Sequence, residues 1–208
     1  MQPDRIFLND SLFVLHSADK LYWPDLTRTN FQKILYFCSV LSPMARITWD
    51  YDFVNALYGP FNRQIHYAID NLVGYGFASI EELIIQTDSK FRARYKISDI
   101  GVREVIRITR LRKEQERLDW IHEIMKVLDV YGQTLITKLA YKEPTFSSMR
   151  THNRSGVIDL DLEENESMML LEQLDLELKK KYAINLDTIT SKLITYFGYL
   201  SADIGKEK

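Results

Sequence analysis

Between residues 31 and 41 the apolar side chains Phe31, Ile34, Leu35, Phe37, Cys38 and Leu41 recur at steps of three and four, the period of one helical face. Thr29-Asn30 ahead of them supplies N-cap chemistry and Pro43 ends the run, so the spacing predicts a buried helix. Trp49 to Leu57 fits either a helix or an extended entry. Tyr58-Gly59-Pro60 then breaks the pattern, because proline lacks an amide proton and restricts the residue before it. Pro60 suits the first turn of a new helix. Ile65, Ala68, Ile69, Leu72 and Val73 form its stripe, placing it at about Phe61 to Gly74 with Gly76 as its left-handed stop.

The period then drops to two. Phe77 to Ile80 and Leu83 to Thr87 read as short strands and Asp88-Ser89-Lys90 as a turn. From Phe91 to Ile97, apolar Phe91, Ala93, Tyr95 and Ile97 alternate with Arg92, Arg94 and Lys96. Ser98-Asp99 caps a helix expected to run through Val105, Leu118 and Leu128 to Tyr131-Gly132. A short helix, Thr134 to Ala140, is stopped by Pro144, and Thr145 to Gly156 reads as a polar loop. Met168, Met169, Leu170, Leu171, Leu174, Leu176 and Leu178 predict a helix with a broad buried side, closed by Lys179-Lys180-Lys181 at the end that favours positive charge. A last amphipathic helix spans Leu186 to Leu200.

Composition adds little to this outline until its distribution is considered. The 208 residues are 46% hydrophobic and 27% charged, ordinary for a globular chain, and the single cysteine, Cys38, cannot form an internal bridge. The longest uncharged apolar run, Ile34 to Ala45, is too short to span a bilayer, and the expected location is the cytoplasm, with no membrane partner. The net charge of -2 excludes nucleic-acid binding by bulk charge. Locally the picture differs: residues 89 to 117 hold ten bases and four acids, whereas Ile158 to Leu178 hold eight acids and no base.

A helix, a break, a second helix, a two-stranded ribbon and another helix follow the order of a winged helix-turn-helix. The fold expected is therefore mainly α: a winged helix-turn-helix core with a two-stranded β wing and a C-terminal helical extension. In that arrangement the helix after the break presents Asn62, Arg63, Gln64, His66 and Tyr67, and the wing presents Lys90, Arg92 and Arg94. These eight residues are the candidate nucleic-acid or partner-binding set, since amide, hydroxyl and guanidinium groups contact base edges, phosphates or a protein surface equally well. The four histidines, His16, His66, His122 and His152, are scattered, Cys38 lies on a core face, and no glycine-rich phosphate loop occurs. No catalytic residue, metal ligand or cofactor site is expected, and the chain reads as a binding protein, not an enzyme.

Phe31-Gln32-Lys33-Ile34-Leu35-Tyr36-Phe37, then Tyr58-Gly59-Pro60-Phe61, then the stripe from Ile65 to Gly76-Phe77 resemble the Panacea, or SocA-like, antitoxin domain family. Its members carry a "KLLYF" helix core, a "YGP(Y/F)" signal and a helix of the form "L..DLD.LV..GL". Tyr95-Lys96-Ile97-Ser98-Asp99-Ile100-Gly101 is similar to the "Y.LTE.G" junction of many winged helices. The resemblance covers about residues 29 to 145, and this chain has Gln32-Lys33-Ile34 where the family more often has Lys-Leu-Leu. It implies a winged-helix domain over 1–145; the acidic loop and C-terminal helical extension expected over 146–208 have no counterpart in the family. It also implies a non-catalytic antitoxin or accessory subunit of a bacterial defence or toxin-antitoxin system, whose partner is a toxin or defence-complex protein. The alternative is a transcriptional regulator with Phe61 to Tyr75 in the major groove of double-stranded DNA. The broad apolar side of the acidic helix suits packing within the chain or a homodimer through the C-terminal helices.

Overall fold

The computed structural model describes residues 4–24, 26–85, 91–152, 156–158 and 165–205. In chain order the elements are α1 (Arg5–Lys20), α2 (Arg28–Val40), α3 (Ser42–Ala45), β1 (Phe53–Ala56), β2 (Gly59–Phe61), α4 (Arg63–Gly74), β3 (Ala78–Ile85) and β4 (Phe91–Ile97). There follow α5 (Asp99–Ile108), α6 (Arg112–Tyr131), a 3₁₀ turn at Gln133–Leu135, α7 (Ile136–Lys142), α8 (Pro144–Thr151), β5 (Val157–Ile158), α9 (Glu166–Tyr182) and α10 (Ile189–Gly205). The protein is mainly helical with small antiparallel sheets, β2-β1-β5 and β3-β4. It divides into two compact units: Met1–Leu35 with Asn62–Met125, and Tyr36–Phe61 with Lys126–Lys208.

In the first unit α1 packs on α4, α5 and β4. Its segment Asn9-Asp10-Ser11, which breaks the apolar pattern in the sequence, is buried. Asp10 accepts two hydrogen bonds from the Arg117 guanidinium, Nε to Oδ1 at 2.9 Å and Nη2 to Oδ2 at 2.5 Å, and both side chains are shielded from water. Asn9 Nδ2 donates to Glu114. Burial of Asn9 and Asp10 is tolerable only because each finds a charged or polar partner. The expected stripe of α4 is present, with Ile65, Ala68, Ile69 and Leu72 inward. Gly76 takes φ +73° while Phe77 N–H donates to Leu72 O, closing the helix with a left-handed residue as predicted.

β3 is one strand rather than two, with a register irregularity between Ile80 and Glu82, and it pairs with β4 from Ala78↔Ile97 to Ile85↔Phe91. The turn expected at Asp88-Ser89-Lys90 lies outside the described residues. Tyr95 and Ile97 are buried and Arg92 and Lys96 exposed, so the alternation in β4 holds. Tyr95 N–H also donates to Leu26 O in the segment between α1 and α2. At the strand-to-helix junction Ser98 Oγ accepts from Gly101 N–H and donates to Gly76 O. Gly101 is required there: a Cβ would stand 2.2 Å from Phe77 O and 2.8 Å from Ile97 Cγ1. The long helix expected after Ser98 is broken between Ile108 and Arg112, where Thr109 Oγ1 bonds back to Val105 O and Leu111 is exposed.

In the second unit, Pro60 does not begin a helix. It lies in β2, an edge strand opposite Asn55, where its missing donor is tolerated, and Asn62 caps α4. Gly59, φ +96°, follows the two-residue turn Leu57-Tyr58. The Thr145 to Gly156 loop is likewise corrected: Pro144 starts α8, because Glu143 receives the N–H groups of Thr145 and Phe146 on its carboxylate. That buried carboxylate also accepts from Tyr36 Oη and Ser167 Oγ, and Ser167 Oγ lies 2.6 Å from Tyr196 Oη. Residues from α2, α8, α9 and α10 thus meet at one polar node. α9 is less buried than predicted: Ser167 and Leu171 are inside, while Met169 and Leu176 are exposed.

Candidate interaction surface

Gln32 positions the start of α4. Its amide nitrogen donates to Asn62 O at 2.7 Å and its oxygen accepts from Asn62 N–H at 2.8 Å, so one buried side chain satisfies both backbone groups of the cap residue. Asn62 Oδ1 in turn accepts from Gln64 N–H at 2.8 Å. Asn62 is therefore engaged in capping and its carboxamide oxygen is not a free reading group. Arg63 is exposed, with its guanidinium 5.8 Å from the Tyr67 ring centroid. Gln64, His66 and Tyr67 are half-buried. Burial, reinforced by the charge of Arg28, lowers the pKa of His66 and favours the neutral ring.

Arg28 joins this helix to the ribbon. It donates to Tyr95 Oη at 2.7 Å and to the Asp70 carboxylate on α4. Beside Gln32, Lys33 is also buried, and burial pushes its amine down to about 8. The burial of these two residues is not legible in the sequence, because Gln32-Lys33 resembles the solvated side of an amphipathic helix, whereas α2 is buried on every side from Phe31 to Val40.

Five of the ten bases in the stretch 89 to 117 pair with acids within the unit. Arg94 meets Glu82 at 2.7 Å and Lys96 meets Glu81 at 3.5 Å across the ribbon. Arg107 pairs with Glu104, Arg112 with Glu116, and Arg117 is buried on Asp10. Arg92, Arg103 and Arg110 are exposed and make no ion pair among the described residues; Lys90 lies outside them. Glu81 and Glu82 fall outside the basic window in sequence, and the strand register brings them in. Folding the ribbon about its turn would have shown an acid opposite a base. Beside the exposed Glu81, Glu82, Arg92 and Lys96, the ribbon also exposes apolar side chains, Ile80 at 47% and Leu83 at 56%.

Of the eight candidates, five therefore gather on the first turns of α4 and Arg92 and Arg94 on β4, both elements of the first unit. A cleft of about 170 Å³ between α1, α4 and α5 is lined mainly by Leu8, Leu12, Leu72, Tyr75, Phe77 and Ile108. Among the described residues no three His, Cys, Asp or Glu side chains converge as a metal site, and no helix is long and apolar enough to cross a membrane. Neither a protein-family model nor a curated protein matches the chain.

Proposed function

We propose that this chain is a non-catalytic protein-binding module of the antitoxin or accessory-subunit kind, built on a winged-helix unit. The order α1, α2, α4, β3, β4 supports the winged-helix reading, as does the bond from Tyr95 N–H to Leu26 O, which ties the segment between the first two helices to the ribbon. The observation that carries the protein-binding reading is the ribbon's surface. Its bases at 94 and 96 are matched by Glu82 and Glu81, while Ile80 and Leu83 stay exposed. Apolar side chains left exposed on the ribbon gain from being covered by a partner protein. The Panacea-like motifs narrow that partner to a toxin or a defence-complex subunit.

The test is co-purification with the product of the adjacent gene, using wild type and an Ile80→Asp, Leu83→Asp variant. Stable recovery of the pair with wild type and its loss with the variant are expected, while recovery with both would overturn the role of the ribbon. A second reading, duplex DNA binding, draws on Arg63, Arg92, Arg103 and Arg110, which are exposed and make no ion pair among the described residues. It requires measurable binding at low salt and a salt slope that falls by about one unit on Arg92→Ala.

A further inference from the structure

α9 carries an exposed stripe at Glu166, Met169, Gln173, Leu176 and Lys180. The steps are three, four, three and four, the spacing of a helix-pairing seam. Met169 is 51% and Leu176 67% exposed, while the opposite side of the helix buries Ser167 and Leu171. Neither Glu166 nor Lys180 makes an ion pair among the described residues; the pair on this helix is Lys181 with Glu177, at 2.6 Å. Read from either end about Gln173, the stripe has one chemistry: charge, thioether or aliphatic, amide, aliphatic or thioether, opposite charge.

We infer that α9 is a self-association surface whose occupant is α9 of a second copy of this chain, running antiparallel. Turned end for end about Gln173, Glu166 falls level with Lys180 of the second copy and Met169 comes within one residue's rise, about 1.5 Å, of its Leu176, each contact occurring twice, as a two-fold interface demands. A parallel pair would set Glu166 on Glu166 and Lys180 on Lys180, so the charges select the orientation. The favourable ends follow the helix dipole too, with the acid in the first turn and three lysines in the last. This pairing does not depend on the toxin-partner reading, and the two fail separately.

Sedimentation equilibrium on the full chain gives the first readout, with circular dichroism to show that each variant stays folded. Wild type is expected to dimerise reversibly, and Leu176→Asp to be monomeric. Glu166→Lys alone and Lys180→Glu alone each weaken dimerisation by about tenfold or more, since each reverses two contacts. An equimolar mixture of these two variants regains dimers, because every charged contact is again opposite. Orientation is read by a short bis-maleimide: Met169→Cys does not link to itself but links to Leu176→Cys, while buried Cys38 stays silent. A wild-type monomer at every concentration, an unaffected Leu176→Asp variant, or efficient self-linking of Met169→Cys would each overturn the inference.

Discussion

Arg117 is the sharpest point at which the fold can be challenged. Its side chain is 1% exposed and that of Asp10 is fully shielded, with two charge-assisted hydrogen bonds between them. Arg117→Met keeps most of the aliphatic stem but leaves a carboxylate in a dry site without its cation. Breaking a buried pair from one side costs about 3–5 kcal/mol, a large share of the roughly 5–15 kcal/mol that stabilises a typical domain. For a unit of the order of 100 residues that lowers the thermal midpoint by about 10 °C or more. Urea unfolding followed by tryptophan fluorescence measures it, since Trp23 and Trp120 are buried in the same unit. Replacing both partners, Asp10→Leu with Arg117→Met, removes the stranded charge, and much of the loss should return. A single variant within about 1 kcal/mol of wild type, or a double variant no better than the single, would refute the claim that the pair matters because of desolvation.

Three further outcomes are expected. Gly101→Ala destabilises by about 1–3 kcal/mol in chemical unfolding, although alanine is the better helix former, because its Cβ would press on the Phe77 carbonyl at 2.2 Å. Burial raises the pKa of Glu143 above its ordinary 4.5 against the pull of its four donors. The native state then holds that proton more tightly than the unfolded chain, so this group's contribution to stability falls as pH rises from about 4.5 toward the raised value; Glu143→Gln flattens that part of the pH–stability profile while costing stability at every pH, since its amide NH₂ must face donors. Gln32→Leu removes both of the Gln32 hydrogen bonds to the Asn62 backbone and lowers stability by about 1–3 kcal/mol, with faster hydrogen exchange at the start of α4.

What the sequence reveals is whatever depends on neighbours a few residues away. The stripe of α4, the alternation of β4, the Ser98 cap and the lysines closing α9 all follow from local period and local chemistry. What it hides depends on partners far along the chain. Asn9 and Asp10 interrupt an apolar run, yet they are buried with Glu114 and Arg117 as their partners. Pro60 suits a helix start by propensity and a strand edge by tertiary pairing, and the pairing with Asn55 decides. The helix at Pro144 was concealed because its cap, Glu143, looks like an ordinary surface acid. The candidate residues divide in the same way: their placement at the start of α4 and on β4 follows from local period, but Asn62 is a cap held by Gln32, and Arg94 is answered by Glu82.

The same long-range pairing changes what the charge map means. A surplus of positive charge between residues 89 and 117 suggests a phosphate-binding face only if those charges are free. Cross-strand acids, helical neighbours and one buried aspartate engage Arg94, Lys96, Arg107, Arg112 and Arg117, and an exposed base already matched to an acid adds little to the attraction of a polyanion. On the proposed protein-binding reading, specificity at this surface comes from shape and apolar contact. Exposed charges influence the rate of encounter more than its strength, so on that reading salt should weaken the proposed complex only modestly beside the effect of the Ile80 and Leu83 substitutions. A polyanion-binding face would show the reverse order.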